Sequence, residues 1–351
     1  MLDPFAGAGD ARSAARGLDA PGAAERLFAG LEDAGGLVLA VSGGPDSIAL
    51  MLLARRWREA LARDGRRAPN IRVAAVDHGL RADSRKEAQA VVVWAADAGF
   101  DGAVLAWEGE KPAARLQERA RRARYALLFS HAARVGARVV ATAHHADDQA
   151  ETILFRLLRG SGPSGLAGMA ALRERDGLLH ARPLLGCAKA ELVALCENEG
   201  HPFFIDPSNA DPRFARARLR ALMPLLEAHG LGREALLRLG RRAARAQAAL
   251  ARQAQELGAA ARRDDGALDL SGFAGAPGEG LEEALLRVAG AQIEAVGGAP
   301  ARLDRLEALT DRLARAIERR EPCVATLGGA LLKLDAQGIL RARRETGRRG
   351  A

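Results

Sequence analysis

From residue 35 to about residue 160, short unbroken apolar runs alternate with longer stretches of helical periodicity. Leu37–Val41, Ile71–Asp77, Ala103–Trp107 and Ala137–Ala143 read as strands. Unbroken runs of about four to eight residues mark strands buried on both faces. Between and after them, Ser47–Asp64, Arg85–Ala98, Ala113–Val135 and Asp147–Arg159 read as helices. This alternation predicts βαβ units and an α/β, doubly wound parallel sheet covered on both sides. Ligands of such sheets sit beyond the carboxyl ends of the strands. Every unusual polar cluster of this segment falls at such an end.

After Gly160 the pattern loosens. A Gly/Ser loop precedes a helix at Lys189–Gly200, and an irregular stretch, HPFFIDPSNADPRF, follows. From Arg213 onward the chain turns helical and Arg-rich, with helices expected at Arg213–Glu227, Arg233–Arg263, Leu281–Val296 and Ala301–Ile317. Thr326–Arg341 has turn signals between short apolar runs and reads as a hairpin ahead of a basic tail. The expected organisation is a lead-in at 1–34 with a short helix at Ala23–Ala34, and a nucleotide-type catalytic domain at 35–212. A mainly helical second domain follows at 213–325, and a short hairpin with a disordered tail at 326–351.

Composition narrows the class. Of 351 residues, 48% are hydrophobic and 27% charged, as in globular chains with room for two domains. Aromatics are only 4%, so Leu, Val and Ala must fill the cores. No apolar run approaches the ~20 residues of a spanning helix, and residues 1–20 hold no apolar secretory segment, so neither membrane nor secretion is expected. Cys187, Cys196 and Cys323 form no CxxC pair, which argues against a disulfide framework, a zinc ribbon or a Cys-held cluster and for a reducing cytoplasm. The net charge of +8 favours a polyanionic partner, nucleic acid first, although Arg beside heavy Ala and Gly use also fits a GC-rich genome.

Three clusters carry the chemistry. Ser42-Gly43-Gly44-Pro45-Asp46-Ser47 lies between a buried strand and a helix. Its glycines permit close backbone approach, its serines bring hydroxyls, and the helix start offers unpaired N–H groups to an anion. Phosphate can be held there without a Lys. Asp46 beside phosphate is repulsive unless a divalent cation separates them, which points to Mg²⁺ with Asp46 as ligand. An isolated SGG would be a turn whose Asp caps the next helix. Asp77 and His78 end the second strand, within VDHGLRADS. They read either as ligand groups or as a turn before a capped helix. His144, His145, Asp147, Asp148 and Glu151 surround the end of the fourth strand. Two imidazoles and three carboxylates suit acid–base or metal chemistry, and oxygen-rich ligation favours Mg²⁺ over zinc.

The hexapeptide SGGPDS resembles the pyrophosphate-binding loop of the N-type ATP pyrophosphatases. Together with VDHGLR, HHADDQAET, RLLRGSGPSGLAGM, RPLL (Arg182–Leu185) and DPSNADPRFARARLR (Asp206–Arg220), it resembles the tRNA(Ile)-lysidine synthetase family. The likeness runs from about Val38 to Arg220. It implies adenylation by ATP of C2 of the wobble cytidine in a CAU anticodon, then displacement of AMP by free lysine. ATP and Mg²⁺ are the implied cofactors and tRNA(Ile) the macromolecular partner, with a homodimer left open. Ser42, Gly43, Gly44, Pro45, Asp46, Ser47, Asp77 and His78 would bind ATP. His144 and Asp148 would assist the chemistry, and Arg218 or Arg216 would contact a phosphate. The sequence departs from the family where Ala217 stands in place of the usual Asn. The Arg-rich helices suit phosphate contacts to a folded RNA. Three rivals remain from the residues alone, one of them a nucleotide-binding module without catalysis, which predicts ATP binding with no pyrophosphate release. A cytidine thiolase commonly needs a Cys pair for an iron–sulfur cluster, and a small-molecule adenylating synthetase would need no basic helical domain.

Overall fold

The computed structural model describes residues 17–109, 111, 116–205, 215–273 and 279–345. Contacts divide the chain into two compact units, 1–159 with 168–240, and 160–167 with 241–351.

The first unit opens with α1 (Ala23–Leu27), β1 (Gly36–Ala40), α2 (Pro45–Arg63), β2 (Asn70–Asp77), α3 (Ser84–Asp97) and β3 (Asp101–Ala106). It continues with α4 (Leu116–Arg134), β4 (Val139–Thr142) and α5 (Ala146–Leu157). The segment α6 (Pro163–Leu166) falls in the second unit, and the first resumes with β5 (Leu172–Arg175), β6 (Leu178–Ala181), α7 (Lys189–Asn198) and α8 (Ala215–Ala228). The sheet order is β3-β2-β1-β4-β6-β5, parallel except for the antiparallel edge strand β5. The chain leaves β1 on one side for β2 and β3, then returns on the other as β4. The strand order therefore reverses between β1 and β4, and a crevice opens at their carboxyl ends.

The apolar runs behave as their pattern predicts. Leu37, Val38 and Leu39 of β1 and Val139, Val140 and Ala141 of β4 are fully buried. The helix α2 buries most of its length, including Trp57, which stacks on Phe28 with ring centroids 4.8 Å apart. On the other sheet face, Tyr125, Leu128 and Phe129 of α4 close a second core. The β5–β6 hairpin has no counterpart in the sequence reading. Its charged run Leu172–Arg175 gives no buried-strand pattern, because β5 is the half-exposed edge.

The described part of α8 packs on the first unit. Its Leu219, with Leu236 of α9 (Arg233–Ala260), joins Ala150, Ile153 and Leu154 of α5 in a small apolar cluster. The compact units accordingly part at Gly240/Arg241, inside α9. The expected boundary near residue 213 lies outside the described residues, as do motif positions 206–214, the start of the lead-in and the tail from 346.

The second unit is less purely helical than its sequence suggests. After α9 come β7 (Leu268–Asp269), α10 (Glu279–Ala295), α11 (Leu303–Arg319), β8 (Cys323–Leu327), β9 (Ala330–Leu334) and β10 (Ile339–Arg344). The expected hairpin is part of a four-stranded sheet, β7-β10-β9-β8. It shares a core with α10 and α11 through residues such as Leu285, Leu313 and Leu332. A hairpin alone is marginal in water, and this added strand and helical cover supply its apolar support. Among the described residues no helix is long and apolar enough to cross a membrane.

Candidate active site

The loops after β1 and β4 meet at the switch point of the first unit. They line a cleft of about 850 Å³ that also receives groups from β2, α4, α7 and α8.

The loop after β1 is fixed from within. Ser47 Oγ accepts the Ser42 N–H at 3.1 Å and donates to the Gly44 carbonyl at 2.9 Å. Gly43 takes φ +86°, and a Cβ there would stand 2.6 Å from the Phe204 ring. The Phe204 N–H donates to the Gly43 carbonyl at 2.8 Å, so the segment after α7 clamps the loop from outside. Pro45 opens α2, where its missing N–H is no loss. Ser42, Gly44, Pro45, Asp46 and Ser47 line the cleft, with Gly43 packed behind them. Helix α2 thus opens with its positive dipole end at the cleft, as an anion requires.

Asp46 and the loop after β4 form one electrostatic unit. His145 is buried, and its Nε2 lies 3.5 Å from both Asp46 Oδ2 and Asp148 Oδ2. Its Nδ1 accepts the Asp148 N–H at 3.4 Å, while Asp148 Oδ2 accepts the His145 N–H at 3.2 Å, a reciprocal cap for α5. Burial opposes a charge on His145, but the bond to Asp46 and the charges of Asp148, Asp46 and Asp147 outweigh it, and its pKa is raised. Asp46 Oδ1 is buried without a hydrogen-bond partner. Among the described residues no group of three protein ligands could hold a metal alone. One carboxylate with an unused oxygen beside a phosphate cradle fits Mg²⁺, which takes most of its ligands from phosphates and water.

Behind Asp148 lies a second charged pair. Glu151, one turn along α5 and buried, accepts two hydrogen bonds from Arg220 of α8, from Nε at 2.5 Å and from Nη2 at 3.2 Å. Arg220 Nη2 is 4.0 Å from Asp148 Oδ1. Arg218 is exposed on α8, two residues and about 200° around the helix from Arg220. Among the described side chains, Arg220 of α8 is brought to the carboxylates Glu151 and Asp148. The side chains of Arg216 and Ala217 lie outside the description. Asp147 serves the scaffold: its Oδ2 accepts the Lys189 N–H at 2.9 Å, and its Oδ1 pairs with Arg233 at 3.5 Å.

The other sequence candidates part ways. His78 lines the cleft, edge-on to Trp107, and its Nδ1 is buried without a partner. Asp77 does not line it. Its Oδ1 accepts from the Gly79 N–H at 2.9 Å and from the Ser84 hydroxyl, and the Ser84 bond chiefly holds its pKa below the usual carboxylate range. Asp77 therefore builds the turn that positions His78. His144 lines the cleft, with its Nδ1 2.8 Å from Thr142 Oγ1. Two partners of that wall, His180 and Arg182, have no signal of their own in the sequence, although Arg182 lies in the RPLL motif.

His78 and His144 of the cleft wall, and His180 behind it, are held neutral. Burial, then Arg124 and Lys111, lower the pKa of His78 to about 4. Burial, then Arg182, Arg121 and Arg124, lower that of His144 to about 2. Burial, then Arg182 and Arg175, lower that of His180 to about 3. Below the ordinary imidazole value of 6.5 the unfolded chain binds protons at these positions that the folded chain refuses. His145 has the opposite sign, contributing stability that is lost as pH rises through its folded pKa. Burial lowers the pKa of His131 as well, so with four histidines against one, stability is expected to fall as pH drops from about 6.5 towards 4. Urea midpoints at about pH 7.5 and about pH 5 measure this, and His180→Gln should flatten the difference. An unchanged midpoint would show that these rings are not neutral by compulsion.

Comparison with known proteins places this geometry. Residues 22–226 match the family model of the PP-loop domain. The chain is 49% identical over 350 residues to a tRNA(Ile)-lysidine synthase of Methylobacterium sp. (strain 4-46), covering 96% of this chain and 99% of that protein. It is 46% identical to a tRNA(Ile)-lysidine synthase of Bradyrhizobium sp. (strain BTAi1 / ATCC BAA-1182), covering 90% and 92%. Among solved structures it resembles the U34-tRNA thiolase NcsA of Methanococcus maripaludis at TM-score 0.51 and 16% identity, over 62% of this chain and 76% of that one. That likeness is one of fold.

Proposed function

The chain belongs to the tRNA(Ile)-lysidine synthase family, and we propose on that footing how its first unit joins lysine to C2 of the wobble cytidine of a CAU-anticodon tRNA(Ile) at the expense of ATP. The observation that carries the assignment of roles is the meeting of the Ser42–Ser47 loop with His144, His145 and Asp148 across the switch point.

Ser42, Ser47 and the positive dipole end of α2 would hold the β and γ phosphates. Mg²⁺, with Asp46 as its protein ligand, would supply positive charge to the departing pyrophosphate. Cytosine O2 attacks the α phosphorus, the bond to the β-phosphate bridge breaks, and pyrophosphate leaves. AMP on O2 is then the leaving group when an unprotonated amine of lysine attacks C2. Free lysine carries charges of both signs. Beside Asp148, the Glu151 carboxylate suits its unreacting ammonium, and the Arg220 guanidinium suits its carboxylate. The Arg-rich surface of the second unit would contribute phosphate contacts to the tRNA, in the cytoplasm.

The cysteines favour this over a thiolase. Burial pushes the Cys187 thiol up to about 12 and that of Cys196 to about 11, and Cys196 Sγ donates to the Pro45 carbonyl at 3.3 Å. Neither is poised as a thiolate. Pyrophosphate release from ATP and Mg²⁺ is expected to require tRNA, and labelled lysine should enter the RNA only when the wobble base is cytidine. Pyrophosphate release without tRNA, with no label in RNA, would replace the tRNA by a small acceptor.

A further inference from the structure

Four polar groups run in line behind the cleft wall. In the parallel register of β4 and β6, Val140 lies beside His180. Strand side chains alternate, so Thr142 shares a face with Val140, and Arg182 with His180. Arg182 Nη2 is 3.1 Å from His180 Nδ1, His180 Nε2 is 2.9 Å from Thr142 Oγ1, and Thr142 Oγ1 is 2.8 Å from His144 Nδ1. His180, Thr142 and Arg182 are 3%, 7% and 9% exposed, so water does not replace these bonds freely. Arg182 is anchored in turn, with Nη1 donating to the Ala170 carbonyl at 2.6 Å.

The direction of every bond follows from one fixed end. A guanidinium only donates. His180 Nδ1 must accept from it, so the proton of neutral His180 is on Nε2 and goes to Thr142 Oγ1. The single Thr142 hydroxyl proton then has His144 Nδ1 as its acceptor. If His144 Nδ1 carried a proton instead, Thr142 would receive two donors, and its own proton would have no acceptor among the described residues. We propose that Arg182, His180 and Thr142 lock His144 in its Nε2–H tautomer, so that it meets the substrate as a hydrogen-bond donor and neither as general base nor as metal ligand. The lock itself stands on the four groups. The use made of it rests on the adenylation reading, in which the available acceptor is a phosphate oxygen of the transferring adenylyl group. Burial and the facing cations Arg182, Arg121 and Arg124 keep the ring neutral, in agreement. Arg182, His180 and Thr142 are positioning residues, and deprotonation of lysine falls to the carboxylate side of the cleft.

The test is spectroscopic and kinetic. In the whole protein labelled with ¹⁵N-histidine, long-range ¹H–¹⁵N correlations report which ring nitrogen carries the proton. His144→Gln identifies the resonance. A protonated Nε2 and bare Nδ1, unchanged from about pH 5.5 to about pH 8, are expected. Thr142→Val should admit the Nδ1–H tautomer and lower turnover about 100-fold, the loss typical of one aimed donor. KM for ATP, lysine and tRNA should stay near wild type, and Thr142→Ser should restore both signals. A bare Nε2 in the wild type would overturn the lock, whatever the variants do. A shifted tautomer with undiminished turnover would overturn the donor role. Failure of the adenylation reading would show separately, as tRNA-independent pyrophosphate release with the resonances unmoved.

Discussion

Asp46→Asn is expected to lower tRNA-dependent pyrophosphate release by about 1,000-fold, in line with the several kcal/mol a bound metal contributes to a charged transition state. The substitution keeps the shape and removes the charge. Asp46 Oδ1 has no hydrogen-bond partner to lose, and Oδ2 faces only His145, which retains Asp148 at the same 3.5 Å. A fold defect is therefore not expected, and an unchanged melting temperature at about pH 7.5 should accompany the loss. The loss should be largest at low Mg²⁺ and only partly relieved at high Mg²⁺, since phosphates and water still offer the ion most of its ligands. Release within tenfold of wild type would show that the free carboxylate oxygen has no cation to hold. The loop would then work through its serines and helix dipole alone.

What could be read in the sequence follows how local each feature is. The parallel sheet was legible because a strand buried on both faces needs an unbroken apolar run, and Leu37–Val41 or Ile71–Asp77 can be little else. The phosphate loop was legible because the positive φ of Gly43 and the Ser47 bonds to Ser42 and Gly44 all lie within one hexapeptide. The β5–β6 hairpin was not, since an edge strand carries no such run. The second unit's sheet was seen only as a hairpin, because β7 is two residues long and pairs across about 70 positions. At the site, His144 and Asp148 were visible as a cluster around the start of α5. Arg220 and His180 were not, because each acquires its meaning from a partner on another element, Glu151 for the first and Thr142 for the second. Asp77 shows the converse: a carboxylate at the ligand edge that local turn bonding fully accounts for. Local chemistry is written locally, whereas the supports of a side chain come from register and helix packing.

Glu151→Gln is expected to raise KM for lysine by about 100-fold while tRNA-dependent pyrophosphate release in a single turnover without lysine stays within a few-fold of wild type. The magnitude is that of losing one buried charged hydrogen-bond partner, roughly 2–5 kcal/mol. The argument for separate effects is geometric. Glu151 contacts Arg220 and stands about one helical turn behind Asp148, whereas the phosphate loop contacts His145 through its own Asp46. Gln keeps one oxygen for Arg220 and holds the α5–α8 contact, whose apolar part, Ile153, Leu154 and Leu219, is untouched. What disappears is the negative charge that would meet the unreacting ammonium. Arg220→Lys provides the complementary measurement, because it keeps the charge but not the two-pronged donor geometry, and it should weaken lysine through the carboxylate. A single-turnover burst of pyrophosphate, followed by slow transfer of labelled lysine, is the expected signature of both variants. Equal loss of adenylation and lysine transfer would instead place Glu151 and Arg220 with the phosphate machinery, as a brace for Asp148, and the lysine would have to bind elsewhere.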